Sequence, residues 1–201
     1  MTSSTHLPQP SGSCGTAPDT TATHLNGRLI SALGPVISRT PPLALLQEKP
    51  LVLACGSPIN LSIRFYLYAV TTTEFERQPG AHRIQLTCGL EHPKHPDRLI
   101  FDRRDGAHVV LSGYSQEWDV FVLWDAGLHD LYDGFPYSKG VQVREETILA
   151  ALSRPFAIQQ RRLRFPGHSS VTETVVAARA SHLVPALVER VRRSHVALLD
   201  L

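Results

Sequence analysis

Apolar and polar positions alternate with a period of two through the middle of the chain. In LSIRFYLYAVTT (61–72), Ile63, Phe65, Leu67 and Ala69 fall on one face, and Arg64, Tyr66, Tyr68 and Val70 on the other. Alternation with β-branched and aromatic side chains predicts a strand. Shorter runs of the same kind follow at His82–Cys88, where Ile84 and Leu86 share a face, and at Arg98–Asp102. His108–Tyr114 and Asp119–Asp125 are two apolar runs joined by a short polar connection, the clearest hairpin in the chain. Leu61–Asp125 thus predicts an antiparallel meander of about five strands.

Helical spacing replaces this alternation towards both ends. Leu29, Ile30, Leu33, Val36 and Ile37 suit a helix that Gly34-Pro35 interrupts or ends. Leu43–Lys49 reads as a short helix or an extended lead-in. Val141–Arg144 predicts a short strand, and Glu145–Leu152 a helix whose acidic first turn suits the helix dipole. Thr172–Ala178 predicts another strand. Ser181 is an expected N-cap for a terminal helix through Arg193, with Leu183, Leu187, Val188 and Val191 on its apolar face. The expected class is α+β: a mostly antiparallel central sheet with flanking N- and C-terminal helices.

Composition adds boundaries. Residues 1–24 are dominated by Thr, Ser, Pro and Gly, which bury too little surface to offset their ordering entropy. A disordered tail is expected there, and one α+β domain over 25–201. No apolar run approaches the ~20 residues of a spanning helix, and Met1–Asn26 lacks the pattern of a secretory signal. Three cysteines, Cys14, Cys55 and Cys88, have no C-x-x-C spacing, so a reducing cytoplasm is expected rather than a disulfide framework.

The formal charge of +2 excludes a protein that coats nucleic acid through bulk charge. It conceals an asymmetry. Residues 1–137 carry ten cations and thirteen anions, while residues 138–201 carry ten cations and five anions. All basic residues but Lys49, Lys94 and Lys139 are arginines, which suit bidentate phosphate contact and are also what a GC-rich genome produces.

Three clusters offer chemistry. Cys88, His92 and His95 carry zinc-binding atoms, but a closed zinc site needs a fourth ligand, and a solvated loop is the simpler reading. Asp119 and Asp125 bracket an apolar strand and leave it on one face. As a pair they would hold Mg²⁺ for phosphodiester cleavage, with His129 or a bound water as base. The acid-x-Lys element of many nucleases is absent, and turn or capping roles are the alternative. FPYSKGVQVR (135–144) contains Tyr137, Ser138, Lys139, Gln142 and Arg144, the side chains that contact phosphate, stack on bases or read base edges. The basic run Arg161, Arg162 and Arg164 adds to it. Phosphate-cradling and nucleophile-elbow motifs are missing, so no nucleotide cofactor is indicated.

HRIQLTC (82–88), VVLSGYSQEWDVFVLWDAGLH (109–129), YSKGVQVREETI (137–148) and TETVVAARASHLVPAL (172–187) occur in that order. Over roughly Leu61 to Arg193 the chain resembles a bacterial family found beside DNA methyltransferases in restriction–modification loci, described as methylase-associated or restriction-endonuclease-like. The resemblance implies a DNA-related defence role and transfers no catalytic residues. Three readings follow: a DNA-recognition or effector component of such a system, a metal-dependent endonuclease, and a protein partner of the methyltransferase.

Overall fold

The computed structural model describes residues 20–72, 80–86, 99–131, 134–136 and 139–199, with side chains to 196. The expected tail lies almost wholly outside these, but its last residues are already helical. Thr21 caps α1 (Ala22–Leu33) by accepting from the His24 amide at 3.3 Å. Gly34, at a φ of 50° that favours glycine, ends α1 ahead of a 3-10 turn over Gly34–Val36. Leu43–Gln47 is also a 3-10 turn. The buried Asn26 holds it, donating from Nδ2 to the carbonyls of Leu46 (2.8 Å) and Glu48 (3.0 Å).

The remaining elements are β1 (Leu51–Cys55), β2 (Leu61–Ala69), β3 (Thr71–Thr72), β4 (Ala81–Leu86), β5 (His108–Ser115), β6 (Val120–Asp125), α2 (Ala126–His129), β7 (Lys139–Arg144), α3 (Glu145–Ala151), β8 (Ala157–Leu163), β9 (Val171–Arg179) and α4 (Leu183–Leu199). Among the described residues six strands form one sheet in the order β1-β2-β5-β6-β9-β8, and three form a second in the order β3-β4-β7. All pairings are antiparallel except β2 with β5. The α+β class, the mostly antiparallel sheet and the helices at both ends agree with the sequence reading.

Two cores occupy the two faces of the large sheet. On one face Ile63, Phe65, Leu67, Phe121 and Leu123 pack with Leu25, Leu29 and Leu33 of α1 and Leu183 and Leu187 of α4. On the other, Tyr66, Tyr68, Val122, Trp124 and Val175 pack with Ile84 and Leu86 of β4, Val141 and Val143 of β7 and Ile148 of α3. The period-two alternation of β2 and β6 therefore places their side chains in different cores. Gly113 marks the close approach of the layers. A Cβ there would lie 2.7 Å from Val70 Cγ2 and 2.8 Å from Ile84 Cγ2.

Several expectations change. The five-strand meander is replaced by a crossover: β4 leaves for the small sheet, and β5 returns parallel to β2. A parallel return needs a long connection, which residues 70–107 supply. Arg98–Asp102 forms no strand among its described residues beyond an isolated bridge between Leu99 and Phe135. The Phe101 amide donates to Asp130 Oδ2 (2.9 Å) and that of Asp102 to the Tyr66 hydroxyl (2.9 Å), so side chains satisfy backbone that a ladder would otherwise bind. Ser181 lies within a 3-10 turn, Ala180–His182, and its hydroxyl pairs with His182 Nδ1 at 3.1 Å. The terminal helix begins after that turn and runs past Arg193 to Leu199. No described helix is long and apolar enough to cross a membrane.

Candidate nucleic-acid interface

The expected nucleic-acid contacts centre on β7. Val141 and Val143 are buried while Gln142 is half-buried and Arg144 exposed, as alternation requires. Antiparallel pairing with β4 sets Arg83 opposite Gln142 and Ala81 opposite Arg144. β8 belongs to the other sheet, yet its side chains reach the free edge of β7. Gln159 Oε1 accepts from the Arg144 amide (2.9 Å) and the Thr147 hydroxyl (3.0 Å). The Gln142 carbonyl accepts from Arg161 Nη1 (2.7 Å) and Trp124 Nε1 (3.2 Å). Between these strands runs a polar groove of about 320 Å³ whose walls include Gln142, Arg144, Arg161 and Arg162.

The cations of this groove are not equivalent. Arg161 is a strut: its Nε lies 2.7 Å from Glu173 Oε2, and Glu173 is wholly buried. His129 Nε2 holds the other oxygen at 2.8 Å. Burial pushes the Glu173 carboxyl upward, but His129 and the charges of Arg161 and Arg190 outweigh it and hold it below the usual glutamate value. With Glu173 ionised, His129 Nε2 is the donor. Lys139 also turns inward, donating from Nζ to the His129 carbonyl at 3.0 Å. Arg144 and Arg162 remain exposed, and Arg162 Nε donates to the Ser170 hydroxyl at 2.5 Å. Arg164 is exposed just beyond β8. Tyr137 and Ser138 lie outside the described residues.

The acidic set assembles differently from the two-carboxylate expectation. Asp119 and Asp125 do turn towards the same helical layer. They lie at opposite ends of β6, about 20 Å apart at ~3.3 Å per residue, too far to share one cation. Asp119 Oδ1 accepts from Arg28 Nη2 of α1 (2.6 Å) and from the Tyr114 hydroxyl (2.7 Å). Asp125 caps α2 through the Gly127 amide (3.0 Å). Its other oxygen accepts from Arg190 Nη2 (2.9 Å) and Ser194 Oγ (3.0 Å) of α4. Neither Mg²⁺ coordination by this pair nor a general base at His129 is assembled, because each carboxylate serves an arginine and the imidazole is sealed against Glu173. No group of three metal-ligating side chains occurs among the described residues. Cys88, His92 and His95 lie outside them.

Glu173 and Arg190 carry this architecture and escaped the sequence reading. A signal was present: Glu173 shares the inward face of β9 with Val175 and Ala177, where a charge requires a partner. Nothing local names that partner. Arg190 donates to Asp125 and, by a short contact, to the Thr174 carbonyl.

Beside Asp125 and Arg190, His108 and His195 meet edge to face, with ring centroids 5.4 Å apart. Burial, reinforced by His195, pushes His108 below the usual imidazole value of 6.5. Its unfolded form therefore takes up a proton more readily than its folded form. The contribution to stability is complete above about pH 6.5 and falls as the pH drops below it. Thermal unfolding at pH 7.5 and 5.5 will show a lower midpoint at 5.5, and His108→Gln will shrink the difference.

A family model described as methylase-associated X1 matches residues 61–187, from the start of β2 into α4. No curated protein and no solved structure matches the chain. The matched span takes in β4, β7, β8 and β9 and hence the whole groove, in the methyltransferase-linked setting that the order of motifs implied; the chain belongs to the methylase-associated X1 family.

Proposed function

We propose that the chain is a DNA-recognition or effector component of a methyltransferase-linked restriction–modification system, and that it contacts the DNA backbone along the β7–β8 groove. The observation that carries this reading is the convergence of Gln142, Arg144, Arg161 and Arg162, from two strands of two sheets, on one polar groove. Arg144 and Arg162 offer exposed guanidinium groups for phosphate, while Arg161 and Lys139 hold the strands that present them. In this reading Gln142 would meet a base edge. Cleavage through Asp119 and Asp125 is not part of this proposal, since both are committed to arginines.

Duplex binding by gel shift will weaken steeply as salt rises, because each phosphate contact releases condensed counterions. Arg144→Ala combined with Arg162→Ala will reduce affinity about tenfold or more and flatten the log–log salt slope by about two. An affinity indifferent to salt, or a double variant that binds like the parent, sinks the proposal. A methyltransferase-binding role draws on a different observation: Leu149, Leu152 and Ile158 are exposed apolar residues on α3, just after it and on the edge strand β8. Co-purification with the methyltransferase after nuclease treatment would support it.

A further inference from the structure

β8 is the last strand of the large sheet. Among the described residues its backbone pairs on one side alone, with β9, and no other backbone is bonded to it. An edge of this kind presents a row of amide donors and carbonyl acceptors to whatever lies beside it. Beside β8 lie two clefts. One is the groove between β7 and β8; the other, about 290 Å³, separates β8 from α3 and from Arg154 just after it. They meet at Arg144 and Gln159, which line both. Residues 157–160 line the second cleft without a gap, and Gln159 with residues 161–163 lines the first. Successive side chains of a strand point to opposite faces. An unbroken run borders one channel only where the channel follows the open edge of the strand. The edge therefore faces the clefts along all seven residues of β8, about 23 Å at ~3.3 Å per residue.

The side chains along this channel restrict the partner. Ile158, Gln160 and Arg162 are exposed on β8, and Arg144 and Arg154 are exposed on the facing walls. Against these arginines the linings set the carboxylate of Glu146. Charge is how open edges are guarded against indiscriminate pairing. A positive guard repels a second copy of this chain, which brings the same arginines to the seam, and attracts an acidic strand. We propose that the β8 edge takes up an extended acidic segment of a partner protein as an added strand. The two main chains form a ladder, alternate side chains of the segment enter the two clefts, and its carboxylates meet Arg144, Arg154 and Arg162. An apolar residue of the segment covers Ile158. This does not rest on the DNA-binding reading. Arg144 and Arg162 belong to both surfaces, so a strand seated here excludes a DNA backbone, whereas Arg154 belongs to this surface alone.

The probe is a labelled seven-residue peptide of alternating glutamate and valine, titrated against the full chain by fluorescence anisotropy without DNA. Saturable binding is expected, and alternate amides of β8 will exchange more slowly with solvent deuterium in the complex. Only one alternate set of the peptide's backbone nitrogens faces β8. Methylating that set will weaken binding at least about tenfold, and methylating the other will not. Lysine in place of glutamate will abolish binding. Arg154→Ala will weaken it about fivefold, while the gel shift of that variant matches the parent. Absence of binding, binding indifferent to methylation of either set, or β8 amides that exchange alike with and without peptide overturns the proposal, whatever the gel shift shows. A dimer of the chain alone in which the β8 amides are already protected overturns it too.

Discussion

Glu173→Ala will destabilise the fold by about 3–5 kcal/mol, the usual cost of removing one member of a buried ion pair. The carboxylate is wholly buried on β9; one oxygen accepts from His129 Nε2, and the other lies 2.7 Å from Arg161 Nε as an ion pair. Alanine leaves the His129 N–H without an acceptor in an enclosed site and frees the strut that ties β8 to β7. Urea unfolding will show the loss as a lower midpoint with little change in slope. Glu173→Gln keeps one acceptor and will lose less. Replacing both Glu173 and His129 by leucine will also cost less than Glu173→Ala alone, because the desolvated groups disappear together. A loss below about 1 kcal/mol for Glu173→Ala, the level of an exposed pair, would show that the network bears no weight. The pH dependence has a definite sign. The carboxyl lies below its ordinary value of 4.5 when folded, so its stabilisation is present above about pH 4.5 and disappears as pH falls further.

Trp124→Ala will cost a comparable amount, about 3–5 kcal/mol, for a different reason. Trp124 is wholly buried on β6 and fills the space between the two sheets. Its Nε1 also donates to the Gln142 carbonyl, the acceptor that Arg161 shares. Trp124→Phe retains much of the ring and loses the hydrogen bond, a deficit nearer about 1 kcal/mol. The carbonyl is not orphaned in that variant, because Arg161 still donates to it. Comparing the two by thermal unfolding separates packing from hydrogen bonding at the junction between the sheets. If Trp124→Phe proves as damaging as Trp124→Ala, the hydrogen bond dominates instead.

Much of this architecture was legible in the residues. The faces of β2, the β5–β6 hairpin, the β7 alternation and the acidic start of α3 are local patterns, and local patterns survive folding. β8 was harder to read. In AIQQRRL its inward positions include Gln159 and Arg161, which face a buried carboxylate and a neighbouring strand's backbone instead of an apolar core. No window along the chain contains those partners. The same limit affected the acidic cluster. Asp119 and Asp125 flank one strand, but their arginines come from α1 and α4, at the two ends of the chain.

The faces of β2, the β5–β6 hairpin, the helices at both ends, the accumulation of basic charge and the family that the order of motifs resembles are legible in the residues alone, whereas β1 and β8 are not. Each legible feature depends on periodicity or composition within a short span. Tertiary structure alone decided that β5 returns parallel to β2, that β4 and β7 form a separate layer, and that Arg144 and Arg162 stay exposed while Arg161 and Lys139 turn inward. It also decided that each suspected catalytic carboxylate meets a cation. The physical reason is that a charge buried on folding must find its partner in space. Sequence separation places no limit on where that partner comes from.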